Sequence, residues 1–69
     1  MLYQLHGKPR KYAEIKRLLE RHGWTLSRIA SSHHIFTKPG ESLHFSIPVH
    51  KGMVMHGYLC DIKKRLGVR

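Results

Sequence analysis

The sequence predicts a single α+β domain in which two amphipathic helices cover one face of a three-stranded antiparallel sheet. Three observations predict it. Apolar residues recur at helical spacing near both ends of the chain, a central stretch alternates with the two-residue period of strands, and Ser-Ser and Pro-Gly pairs punctuate that stretch where reversals are needed. Residues 1–69 are read as one domain, since a chain of 69 residues has room for one core. A domain this short hides only about 60% of the surface its unfolded form exposes.

From Pro9 to His22, Tyr12, Ile15, Leu18 and Leu19 share one helical face, with Lys11, Lys16, Arg17 and Arg21 around it. Pro9 suits the first helical turn, where its missing N–H would lack a partner anyway, and Gly23 suits the left-handed position that ends a helix. Trp24 is expected to fold back on that last turn. From Trp24 to Ala30, Trp24, Leu26, Arg28 and Ala30 alternate with Thr25, Ser27 and Ile29, as in a half-buried strand. Ser31 and Ser32 connect it to a second strand, His33 to Lys38. Lys38-Pro39-Gly40-Glu41 has the composition of a reverse turn. A third strand, Ser42 to Pro48, would place Leu43, Phe45 and Ile47 on one face and His44 and Ser46 on the other. After a basic loop, Val49 to Gly52, the residues Met55, Leu59, Ile62 and Leu66 mark a second helix. Its last turn carries Lys63, Lys64 and Arg65, which favour the negative end of the helix dipole, and Gly67 can end it. The order helix, three strands, helix is that of a double-stranded-RNA-binding domain (dsRBD).

Thirteen Lys and Arg against four Asp and Glu give a formal charge of +9, which calls for an anionic partner. Nucleic acid fits first. The cations are spread along the whole length rather than gathered on one amphipathic helix, which disfavours a membrane surface; an acidic protein is the third candidate. Cys60 is the single cysteine, so no disulfide can form within the chain, as suits a reducing compartment. The segment MLYQLHGKPRK lacks the apolar region of a signal peptide, and no run approaches the roughly 18 apolar residues that would span a bilayer. A soluble, cytoplasmic protein is expected.

The most informative local feature is the pair His33-His34 within SSHHIF at 31–36. Imidazole alone among side chains titrates close to neutral pH without perturbation, at about 6.5, and so can both accept and donate a proton there. Beside abundant Lys and Arg, which draw phosphate, this suggests proton transfer on a polyanion. In a regular strand His33 and His34 point to opposite faces, so only one can belong to a given site.

RHGW at 21–24, SSHHIF at 31–36, IPVHKG at 47–52 and the trio Gly57-Tyr58-Leu59, in this order and spacing, resemble the HicA toxin family over about Lys11 to Val68. The resemblance implies a small cytosolic ribonuclease of a toxin–antitoxin module, with a dsRBD-like fold, acting on mRNA and held inactive by a HicB antitoxin. The family motif is Gly-Ser-His-His, and its first histidine, taken as catalytic, falls on His33. Ser31 stands where the family has Gly, a position that would require a positive φ or a close approach of RNA.

The chemistry expected is attack of a ribose 2′-OH on the adjacent phosphate, with His33 as one of the proton-transfer groups. Arg28 and Lys51 are the cations chosen to stabilise the charge developing on phosphorus. Ser32, His34 and His50 complete the candidate RNA-binding set, with His44 as a further phosphate contact. No cofactor and no metal site are expected: there is no HExxH, no CxxC and few carboxylates to accompany the seven histidines. The plainer readings are a strand histidine bonded to backbone for His33, a solvated helix face for Lys16, Arg17 and Arg21, core packing for Trp24, Phe36, Met53 and Met55, and an inert, core-side thiol for Cys60. Two alternatives to a nuclease are a non-catalytic RNA-binding module and a domain whose charge serves only an acidic protein partner.

Overall fold

The computed structural model describes residues 7–68. His6 and most of the stretch read for a signal peptide lie outside them. Helix α1 (Tyr12–Arg21) buries Ile15 and Leu19 from its apolar stripe. Gly23 ends it at a φ of +88°. The Gly23 N–H donates to the Glu20 carbonyl and the Trp24 N–H to the Leu19 carbonyl, each at 3.0 Å. These are the two bonds of a Schellman motif, and Trp24 is buried directly beyond it, as expected. The second helix, α2 (His56–Leu66), ends the same way: Gly67 has a φ of +77°, and Val68 N–H donates to the Lys63 carbonyl at 3.0 Å.

Pro9 does not open α1. Arg10–Lys11 instead form a two-residue strand, β1, paired antiparallel with β5 (Met53–Val54). The Tyr12 N–H, left free at the start of α1, donates to the Gly52 carbonyl at 2.8 Å. A tertiary partner thus satisfies what a side-chain cap would otherwise have to. Strands this short carry no readable period, which is why the sequence shows only a helix start and a loop here.

The main sheet runs β2 (Thr25–Ala30), β3 (His33–Thr37), β4 (Phe45–Pro48), with both neighbouring pairs antiparallel. Together with the two helices it gives the expected α+β, dsRBD-like arrangement. Phe36, Phe45 and Ile47 point to the helix side and form one core with Ile15, Leu19, Trp24, Val54, Leu59 and Ile62. Trp24 meets Phe45 edge-on, with ring centroids 4.6 Å apart.

Three further expectations change. The third strand begins at Phe45 rather than Ser42, and Leu43 is 70% exposed instead of facing the core. The Arg65 guanidinium lies 3.8 Å from the Phe45 ring centroid and donates to the carbonyls of Leu43, at 2.9 Å, and His44, at 3.3 Å. Those carbonyls are thereby held by a cation. Met55 is the residue before α2 and is 60% exposed, not core filler. Cys60 is exposed as well, with Sγ 3.3 Å from Nε2 of His56 on the preceding turn. No helix among the described residues is long and apolar enough to cross a membrane.

Candidate functional site

Ala30 pairs with His33, so Ser31 and Ser32 are the two central residues of a tight hairpin. Ser31 has a φ of +59°, whereas Ser32 is not in the positive region. That is the pattern of a type II′ turn, whose first central position favours Gly. The turn delivers His33 at the start of β3, where it is exposed. It is not entombed among aliphatic groups.

Cross-strand partners share a face, so the register fixes what surrounds His33. The row through His33 is Ala30–His33–Pro48, and the next row is Arg28–Ile35–Ser46. Both lie on the side of the sheet opposite Phe36, away from the helices. No residue in either row is acidic. Arg28 is a diagonal neighbour of His33, roughly 7–8 Å away between backbones, a gap a long side chain can span.

Arg28 reaches this face through an irregularity. Leu26 pairs with Phe36 and Arg28 with Ile35, leaving Ser27 without a partner. Plain alternation would set Leu26, Arg28 and Ala30 on one face. The extra residue separates them, so Leu26 faces the core while Arg28 and Ala30 join His33.

A second turn lies at the same end of the sheet. The Val49 N–H donates to the Ser32 carbonyl at 2.9 Å, tying the segment after β4 to the first hairpin. His50 and Met53 then exchange two backbone hydrogen bonds, at 3.0 and 2.8 Å. Between them Lys51 and Gly52 have φ of +52° and +75°. Two consecutive positive values make a type I′ turn, with the Lys51 side chain exposed at its tip.

Of the candidate residues, Ser32, His33 and Arg28 are thus gathered around one hairpin, and His50 and Lys51 follow on the segment bonded to it. His34 goes elsewhere. It faces the helices, its ring 4.4 Å from that of Tyr12 and edge-on to it. The Tyr12 hydroxyl and His34 Nδ1 are both buried without a hydrogen-bond partner among the described residues. Burial, with a smaller contribution from the charge of Glu20, raises the Tyr12 pKa above its usual 10.0. His44 lies before β4 beside Arg65 and apart from the hairpin. No group of three or more His, Cys, Asp or Glu side chains is gathered among the described residues.

Ile35 and Ser46 were not among the candidates. Alternation along β3 is enough to put Ile35 on the face of His33, but Ser46 joins them only through the β3–β4 register, which the sequence does not specify.

The family model described as HicA toxin of bacterial toxin–antitoxin matches residues 12–68. The chain belongs to the HicA toxin family. No curated protein and no solved structure matches it. The matched span covers both helices and all the strands but β1, so the HicA match and the fold concern the same unit. Membership places the chain among the toxins of toxin–antitoxin systems. Position 31, where the sequence resemblance implies Gly, has a positive φ, and this chain holds Ser there.

Proposed function

We propose that this HicA-family chain is a metal-independent endoribonuclease that cleaves mRNA, with His33 as a proton-transfer catalyst. One observation carries the reading: His33 is exposed on the sheet face opposite Phe36 and the two described helices, with Arg28 diagonal to it and no acidic residue in the surrounding rows. In that setting the imidazole either takes the proton of an attacking 2′-OH or gives one to the departing 5′-oxygen. A positioned acid or base of this kind contributes typically 10²- to 10⁴-fold in rate. In this reading Arg28 faces the phosphorane charge, and Ser32, His50 and Lys51 supply phosphate contacts at the turns. His34 supports the hairpin from the core side.

The charge of +9 draws RNA by long-range attraction. The protein partner in this reading is a HicB-type antitoxin in the cytoplasm, whose acidic surface neutralises the toxin by covering the His33 face. Expression of wild type and His33→Ala in cells, with and without that antitoxin, tests the proposal. Loss of intact mRNA and of growth should require His33 and be prevented by the antitoxin. Equal mRNA loss with both forms would reject His33. RNA binding with no cleavage by either form would leave a non-catalytic RNA-binding module.

A further inference from the structure

The row next to His33 has a composition that proton transfer does not require. Ile35 is a β-branched apolar residue at the centre of the sheet face opposite Phe36, which neither helix among the described residues covers, flanked by Arg28 on β2 and Ser46 on β4. Ile35 is half-buried, while both flanking side chains are exposed. Residues two apart on one strand lie about 7 Å from each other on the same face. This row is therefore one step from His33 along β3. Ala30 and Pro48, on either side of His33, present small and nonpolar surface that continues the Ile35 floor.

A nucleotide offers an apolar sugar and base face, an anionic phosphate and hydrogen-bonding edges. An apolar floor with a cation on one wall and a hydroxyl on the other is complementary to it. Resting on the ribonuclease reading above, we propose that Arg28, Ile35 and Ser46 form a nucleotide-binding subsite for the residue adjoining the scissile phosphate. Ile35 carries the ribose and base, Arg28 holds the phosphate, and the Ser46 hydroxyl bonds a polar edge. Single-stranded RNA then crosses the helix-free face of the sheet, from the His33 row toward Thr25 and Thr37. The basic residues of α1 and α2, on the other side, contribute only long-range attraction.

The test is titration of the ¹⁵N-labelled protein with a 2′-O-methyl oligoribonucleotide, which lacks the attacking hydroxyl and stays intact. Amide resonances of Arg28, Ile35 and Ser46 should shift on binding. Ile35→Asp should weaken binding about tenfold, one nucleotide's worth of contact. Ser46→Val, which keeps a strand-forming residue, should weaken it less, and Lys64→Ala on α2 should change it least. The amide spectra of the free variants report whether each is folded. Binding that shifts His33 and the Ser31–Ser32 turn but not Arg28, Ile35 or Ser46, with Ile35→Asp and Ser46→Val binding as wild type does, overturns the subsite and leaves the nuclease reading standing, whereas binding that shifts only helix resonances overturns both. No binding at low salt overturns both.

Discussion

Arg28 stands opposite Ile35 on the face of His33 because Ser27, between Leu26 and Arg28, has no partner on β3. The register on both sides is already that of a regular ladder: Leu26 meets Phe36, and the next paired residue meets Ile35. Deleting Ser27 should therefore leave Leu26 in the core and Arg28 beside His33, costing no more than about 1 kcal/mol. Urea denaturation and cross-strand NOEs between residues 28 and 35 check this. A variant in which Arg28 turns to the helix side would show that the unpaired residue holds the register rather than interrupting it.

Ser31 bears the backbone cost of the first turn. A non-Gly residue in the left-handed region is disfavoured by roughly 1–2 kcal/mol, and the greater unfolded-state freedom of Gly offsets about 0.5–1 of that. Ser31→Gly should then stabilise the fold by about 0.5–1 kcal/mol, raising Tm by a few degrees in a domain of this size. Thermal unfolding followed by circular dichroism measures it.

Lys51 separates turn chemistry from RNA contact. A type I′ turn favours Asn-Gly, so Lys51→Asn should raise stability. The same change removes a cation near the site and should lower RNA affinity, with the slope of log K against log salt falling in magnitude by about 0.7. If affinity and slope stay unchanged, Lys51 contacts no phosphate.

Tyr12 contributes a pH-dependent component of stability. Its folded-state pKa is raised by burial and by Glu20, so the folded protein keeps that proton in a range where the unfolded chain has lost it. This contribution is complete below about pH 10 and declines as pH rises through the folded value. Tyr12→Phe should remove that component of the alkaline decline. At neutral pH it should be neutral or mildly stabilising, because the hydroxyl it deletes is buried without a partner among the described residues. Denaturation midpoints of the two proteins at neutral pH and above pH 10 make the comparison.

The helices and the β2–β3 hairpin were legible in the sequence because their signals are local: Gly23 and Gly67 as terminators, the stripe from Tyr12 to Leu19, and alternation through the histidine pair. What was not legible depends on distant partners. Arg10–Lys11 is a strand only because Met53–Val54 lies beside it. Leu43 is exposed in a segment whose carbonyls are held by Arg65, far along the chain. The candidate site was half visible for the same reason. His33, its motif and its turn could be found from neighbouring residues, whereas Ser46 and the face of Arg28 follow from register.

The direct test of the central claim is to incubate pure protein with single-stranded RNA in EDTA and identify the product ends by mass spectrometry, with His33→Ala alongside. Cleavage should persist in chelator and leave 2′,3′-cyclic phosphate or 3′-phosphate ends, while His33→Ala remains folded, binds RNA and does not cut. Cleavage abolished by EDTA and restored by a divalent cation, or undiminished in His33→Ala, would contradict it.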